Sequence, residues 1–174
     1  IKIKVTAELN QHNVSDFQFE AISLIGHVLG IKQTQVIVEN QIELTNKQEH
    51  DIKILLNKRI KGKPLAYLIN EKFFYNEKFF VNENVLIPRQ ETEELIDYFF
   101  LTNKHESMQN KNILDIGTGS GIISIICKKK YPESNVFSID KSNKAICVAK
   151  KNALEKNLSI EFDIADIKDC KIDK

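Results

Sequence analysis

A strand-like segment in the second half of the chain runs directly into a glycine-rich turn, with the sequence Ile113-Leu114-Asp115-Ile116-Gly117-Thr118-Gly119-Ser120-Gly121. Glycine permits positive φ angles and lets a ligand approach the backbone, and a helix that starts after such a turn offers unpaired N–H groups. A tight strand-to-helix turn does not need three glycines at alternate positions. The segment therefore predicts a ligand-binding loop.

The spacing of the glycines separates the candidate ligands. A dinucleotide-binding loop has its third glycine three residues after the second, where this chain has Ile122, and the Gly-Lys-Ser/Thr ending of a P-loop is absent. The pattern Asp-x-Gly-x-Gly-x-Gly, which begins at Asp115, resembles motif I of the S-adenosylmethionine-dependent methyltransferases of Rossmann-like fold. This resemblance implies that the Asp115 carboxylate lies near the positively charged methionine end of the cofactor.

Two further carboxylates follow the next two strand-like segments. Asp140 comes about 20 residues after the loop, where an acidic side chain can accept hydrogen bonds from both ribose hydroxyls; the alternative is an N-cap for the helix near Ser142. Asp166 is placed to meet an adenine amino group, with Ile167 beside the ring, although a solvated loop carboxylate is the alternative. The expected cofactor-binding residues are Asp115, Gly117, Thr118, Gly119, Ser120, Gly121, Asp140, Asp166 and Ile167.

A second motif lies upstream, in residues 84–96, and reads Asn-Val-Leu-Ile-Pro-Arg-Gln-Glu-Thr-Glu-Glu-Leu-Ile. It resembles the Ile-Pro-Arg-Pro-Glu-Thr-Glu signature of the HemK/PrmC family, methyltransferases that modify a glutamine side chain in peptide-chain release factors. Gln90 replaces the second proline of that signature. The Pro-Leu-Ala-Tyr-Leu segment at 64–68, a phenylalanine-rich hairpin, this motif and the glycine-rich loop occur in the family's order. The resemblance implies that Arg89 and Thr92 close the active site.

The resemblance also implies an activity: a protein-(glutamine-N5) methyltransferase that uses S-adenosyl-L-methionine and has a release factor as its protein substrate. We expect a monomer without direct contact to nucleic acid or membrane. Since residues 1–10 lack the layout of a signal peptide, we expect it in the cytoplasm. The family's catalytic Asn-Pro-Pro-Tyr segment is expected beyond Lys174, since no Asn-Pro occurs in this chain. The chain starts at Ile1 and its only methionine is Met108. We treat it as a fragment that carries the cofactor half and is inactive by itself.

Two alternatives belong to other functional classes. A nucleic-acid adenine N6-methyltransferase would share the cofactor loop, and a non-catalytic module would keep the cofactor pocket without the chemistry. The net charge of +1 does not favour a protein that binds nucleic acid mainly through phosphates.

The hydrophobic pattern indicates the elements that position these residues. Helical spacing predicts an all-helical substrate-recognition module over 1–70, including helices at 13–30 and 45–61 whose capping boxes pair Ser15 with Gln18 and Thr45 with Gln48, and a short helix after Thr34. A β-hairpin with an Asn-Glu turn at 76–77 and a linker helix from Glu91 occupy 71–101. Strands and helices then alternate over 102–174, which predicts a parallel sheet with right-handed crossovers. The expected fold is α/β, with the first half of a Rossmann-like class I methyltransferase domain.

The composition fits an ordinary globular protein, with 42% hydrophobic and 28% charged residues, and excludes a disordered or collagen-like chain. The three cysteines, Cys127, Cys147 and Cys170, form no Cys-x-x-Cys pair. They therefore predict neither a disulfide framework nor a structural zinc site, and they fit a reducing cytosol. No run of about 18 apolar residues is present to span a bilayer.

Overall fold

The computed structural model describes residues 1–39 and 41–169, except for the side chains of residues 105 and 106. The chain forms two compact units, Ile1–Ile69 and a second that begins at Asn70. The segment 71–101 groups with the residues that follow it, rather than forming a part of its own.

The first unit is helical in its described residues. Its helices are α1 (Lys2–Gln11), α2 (Phe17–Leu29), α3 (Gln33–Val38), α4 (Asn46–Ile60) and α5 (Leu65–Ile69). The sequence pattern did not predict α1 or α5, and α3 begins before Thr34 rather than after it. The apolar sides of these helices form one buried core that includes Leu9, Leu24, Ile25, Val36, Ile52 and Leu56.

Of the two predicted capping boxes, one is present at the start of its helix and the other is not. The box at α4 is confirmed: the N–H of Gln48 donates to Thr45 Oγ1 at 3.2 Å, and the N–H of Thr45 donates to Gln48 Oε1 at 2.9 Å. The Ser15 box at α2 is wrong. The N-cap there is Asp16, which has a left-handed φ of 53° and makes no side-chain cap hydrogen bond. Because the N–H of Glu20 bonds to the Asp16 carbonyl, Ser15 lies one residue outside the cap position.

A buried ion pair joins α2 to α4. The Arg59 guanidinium donates to both carboxylate oxygens of Glu20, at 2.5 and 2.9 Å. The two side chains are only 17% and 10% exposed. This two-point geometry fixes the relative position of the two helices more tightly than a single ammonium contact would.

The second unit opens with the predicted antiparallel hairpin, formed by β1 (Glu71–Phe74) and β2 (Glu77–Phe80). The predicted Asn-Glu turn is wrong by one residue, because Phe74 pairs with Glu77 and leaves Tyr75 and Asn76 as the turn. Both have positive φ, 50° and 57°. A two-residue hairpin turn of this kind matches the right-handed twist of the strands.

The remaining elements confirm the predicted alternation. They are α6 (Glu91–Thr102), a 3₁₀ turn (His105–Met108), β3 (Asn112–Ile116), α7 (Ile122–Lys130), β4 (Asn135–Asp140), α8 (Asn143–Glu155) and β5 (Glu161–Ile164). The three strands are parallel in the order β3-β4-β5. The carboxyl ends of all three strands therefore lie at one edge of the sheet.

The hairpin, α6, α7 and α8 share one apolar core. Phe74 and Phe79 of the hairpin are buried with Ile96 of α6 and with Ile125 of α7. These two phenylalanines of the hairpin therefore pack in the core, whereas Phe73 is exposed. None of the helices in the described ranges is both long and apolar enough to cross a membrane.

Candidate cofactor-binding site

The glycine-rich loop, residues 117–121, leaves the carboxyl end of β3 and enters α7. Its first two amides turn back onto the neighbouring strand: the N–H groups of Gly117 and Thr118 donate to the Ile139 carbonyl at 2.8 and 3.0 Å. In open parallel sheets, ligands bind in the crevice outside the carboxyl ends of the strands. The loop lies in that position.

The three loop glycines all have positive φ: 76° at Gly117, 55° at Gly119 and 78° at Gly121. Their surroundings differ. A Cβ atom at Gly117 would meet no heavy atom within 4 Å, and one at Gly119 would meet only the Gly117 carbonyl oxygen at 3.9 Å. A Cβ at Gly121 would lie 2.9 Å from the Cβ of Ala149. The first two glycines therefore leave open space that a ligand can enter, whereas the third lets α7 pack against α8.

Asp115 lies beneath the loop and is buried. Its Oδ2 atom accepts hydrogen bonds from Thr118 Oγ1 at 2.7 Å and from Ser124 Oγ at 2.6 Å. Ser138 Oγ donates in turn to Ser124 Oγ at 2.7 Å. This hydroxyl cluster offsets the cost of burying a carboxylate and holds the Thr118 side chain in place. Contact between Asp115 and a ligand stays a prediction.

The sequence reasoning missed the two serines of this cluster. Ser124 lies in the apolar run Ile122-Ile123-Ser124-Ile125-Ile126, and Ser138 lies in β4. A polar residue inside a buried apolar run needs a hydrogen-bond partner. That requirement was the available signal in the sequence. Only the folded structure identifies the partners, which are Asp115 for Ser124 and Ser124 for Ser138.

Asp140, the last residue of β4, contacts the loop directly. Its Oδ2 accepts from the Gly119 N–H at 3.0 Å, and its Oδ1 accepts from the Ser142 N–H at 2.9 Å. The alternative that Asp140 caps α8 is wrong, because the N-cap is Ser142, whose hydroxyl accepts from the Ala145 N–H at 3.3 Å. Asp140 therefore places a half-buried carboxylate beside Gly119 of the loop.

Asp166 and Ile167 follow β5 at the same edge of the sheet. The N–H of Ala165 donates to the Asp140 carbonyl at 3.1 Å, which ties the start of this segment to the end of β4. Asp166 is half-buried and accepts from the Lys168 N–H at 3.1 Å, and Ile167 is 41% exposed. The chain thus brings this segment next to Asp140, and its contact with a ligand stays a prediction.

Thr92 lies in the first turn of α6, and Arg89 lies two residues before the helix. Arg89 is exposed, and its carbonyl accepts from the Thr92 N–H at 3.1 Å. Within residues 1–39 and 41–169, no side-chain hydrogen bond joins either residue to the glycine-rich loop. Later residues of the same motif, Leu95 and Ile96, do line a pocket together with Asp115. The role of Arg89 and Thr92 in closing the site stays a prediction.

Cys127 of α7 is buried near the same cluster. Its burial and the negative charge of Asp115 raise the pKa of its thiol to about 12. A thiol held in its neutral form is a poor nucleophile. In the part of the chain that the structure describes, no three His, Cys, Asp or Glu side chains are grouped as a metal site requires.

Comparison with known proteins gives the family. Residues 3–69 match the PrmC N-terminal domain, and residues 107–174 match a methyltransferase domain. A protein of Thermodesulfovibrio yellowstonii named release factor glutamine methyltransferase is 42% identical over 158 residues, which is 88% of this chain and 56% of the relative. The chain belongs to the PrmC family.

A second curated relative agrees with this assignment. A relative of the same name from Flavobacterium psychrophilum is 41% identical over 133 residues, which is 76% of this PrmC-family chain and 47% of the relative. The chain thus spans about half the length of the curated relatives that it matches. A solved structure of Pyrococcus abyssi tRNA (uracil-54, C5)-methyltransferase in complex with S-adenosyl-L-homocysteine aligns with 60% of this chain and 25% of that chain, at 19% identity and a TM-score of 0.48.

Proposed function

We propose that the glycine-rich loop and Asp140 bind S-adenosyl-L-methionine. The observation that carries this proposal is the open space at Gly117 and Gly119, at the carboxyl ends of β3 and β4 and directly beside the Asp140 carboxylate. An aliphatic side chain at either glycine would fill the space that a ligand needs. The methyltransferase domain match over residues 107–174 supports the same cofactor.

Each residue of the site then has a separate part in binding. A carboxylate has about four lone-pair sites, so Asp140 can accept from ribose hydroxyls while it keeps its bond to the Gly119 N–H. Asp166 and Ile167 contact the adenine. Asp115 acts near the methionine end through the loop residues that it holds, and Thr118, Ser120 and Gly121 complete the loop. When bound, the cofactor supplies the transferable methyl group, and the protein supplies binding, alignment and exclusion of water.

We further propose that the whole protein methylates the side-chain amide nitrogen of a glutamine in a peptide-chain release factor. The names of the relatives and the PrmC N-terminal domain over residues 3–69 support this substrate. In this proposal, the helical unit recognises the release factor, and Arg89 and Thr92 close the site over it. The whole protein acts as a monomer in the cytoplasm, where its substrate is made.

Calorimetry with S-adenosyl-L-methionine tests the cofactor assignment, using this chain and the longest reading frame that contains it. Asp140→Asn keeps the size of the side chain and removes its charge. Since a hydrogen bond to a charged group contributes about 1.5–3 kcal/mol, binding should weaken about tenfold or more. Asp163→Asn, at an exposed carboxylate of β5, is the matched control and should bind normally. Equal affinities for the two variants would contradict the role of Asp140.

A transfer assay tests the substrate. The longest reading frame is incubated with labelled S-adenosyl-L-methionine and either a release factor, DNA or RNA. Label in a release-factor glutamine supports the proposal. Label in nucleic acid would instead favour the adenine methyltransferase, and cofactor binding with no transfer to any of the three would favour the non-catalytic module.

A further inference from the structure

Asn152, in the last turn of α8, is completely buried and joins two separate parts of the second unit. Its Oδ1 atom accepts from the Phe80 N–H at 2.7 Å, and its Nδ2 group donates to the Phe80 carbonyl at 2.9 Å. The second Nδ2 hydrogen goes to the Ser120 carbonyl at 2.8 Å. One side chain therefore connects the end of the hairpin to the glycine-rich loop.

The chemistry of the amide explains why asparagine fits this position. Toward Phe80, it offers one N–H and one C=O, as the backbone of an adjacent strand would. Toward Ser120, it offers the one donor that remains, so its two N–H groups and its carbonyl oxygen are all used. Because Asn152 is fully buried, water cannot easily replace these bonds, and the loss of any of them leaves a buried group unsatisfied.

The contact with Ser120 falls in the part of the loop that sets the ligand space. Ser120 lies between Gly119, whose N–H is held by Asp140, and Gly121, which packs on Ala149. Ala149 lies three residues before Asn152, so α8 contacts the loop at two successive points on one face. Asp140 fixes the loop at Gly119, and α8 contacts it at Ser120 and Gly121.

We propose that Asn152 is a positioning residue for the cofactor loop and couples the hairpin to it. This inference rests on the proposed cofactor site. Asn152 does not touch the ligand; it holds the Ser120 peptide so that Gly119 keeps its place beside Asp140. Since coupling between two sites is reciprocal, a ligand that fixes the loop also stabilises the contact between Asn152 and Phe80.

The test measures S-adenosyl-L-methionine binding by calorimetry in the longest reading frame that contains this chain, unaltered and with Asn152→Ala. Val148→Ala is the matched control, because Val148 is a buried apolar residue one turn earlier on the same helix. Both changes remove buried contacts of α8, but only the first removes the hydrogen bond to the loop. Measurements are made at a temperature where thermal unfolding shows all three proteins to be folded.

The inference predicts a dissociation constant at least about fivefold higher for Asn152→Ala, the lower limit of typical coupling between sites, and an unchanged constant for Val148→Ala. Equal binding by both variants and the unaltered protein would refute the positioning role and leave the proposed function intact. An equal loss of affinity in both variants would also refute the positioning role, because it would show a general effect of destabilising α8. If the unaltered protein binds no cofactor, the proposed function itself is wrong, and the inference, which rests on it, is wrong as well.

Hydrogen exchange provides a second measurement, which uses only the unaltered protein and therefore does not require any variant to fold. In the unaltered protein, S-adenosyl-L-methionine should slow exchange of the Phe80 amide, which Asn152 holds, more than exchange of the Lys78 amide in the same strand. Equal changes at both amides would contradict coupling through Asn152.

Discussion

Substituting Gly121 by alanine should destabilise the second unit far more than the same substitution at Gly117. At Gly121 the new Cβ would lie 2.9 Å from Ala149 Cβ and 3.1 Å from Ala149 Cα. Carbon atoms in contact normally stay about 3.5–4.0 Å apart. Helix α7 must therefore move away from α8, and overpacking of this kind costs about 1–3 kcal/mol.

The backbone adds a second cost that both sites share. The two glycines have nearly the same φ, 78° and 76°, and a left-handed conformation costs a side-chain-bearing residue about 1–2 kcal/mol. The effect of the substitution on the unfolded chain is also common to both. Gly117→Ala should thus lower the free energy of unfolding by about 1–2 kcal/mol, and Gly121→Ala by about 2–5 kcal/mol.

Urea denaturation followed by circular dichroism measures this difference. Ala149→Gly removes the nearest clashing atom and should recover part of the loss in a double variant with Gly121→Ala. Neighbouring residues of this kind show coupling of about 0.5–3 kcal/mol. Equal destabilisation by Gly117→Ala and Gly121→Ala, or strictly additive effects in the double variant, would refute the reasoning that Gly121 serves helix packing.

Two further outcomes follow from other buried groups. Arg59→Met leaves the Glu20 carboxylate buried without its partner and should lower the free energy of unfolding, measured by thermal unfolding, by about 3 kcal/mol. Adding Glu20→Leu should restore part of that stability. If it restores none, the ion-pair argument is wrong. The raised pKa of Cys127, about 12 against an ordinary 9.0, means that the folded protein keeps a proton that the unfolded chain loses. The stability that this thiol contributes is complete below pH 9.0 and declines toward pH 12. In urea denaturation at rising pH, the free energy of unfolding should therefore fall less for Cys127→Ala than for the unaltered chain. An equal fall in both proteins would contradict this assignment of the pKa.

The sequence determined the features that depend on neighbouring residues. The order of strands and helices in the second unit, the glycine-rich turn and the Thr45 capping box all follow from side-chain periodicity or from hydrogen bonds that span a few residues. Local rules failed where several residues could serve equally well. Asp16 rather than Ser15 caps α2, and Tyr75 rather than Glu77 forms the hairpin turn, because packing of the adjoining elements selects the register.

Only the tertiary structure decided what holds the candidate site together. The Asn152–Phe80 bonds join residues 72 positions apart, and the Asp140–Gly119 bond spans 21. Such contacts leave no local periodic pattern, because they form only when crossovers bring distant segments to the same end of the sheet. The three loop glycines are likewise equivalent in the sequence and differ only in the tertiary structure. Gly121 has a packing role that the other two lack, because α8 lies against it.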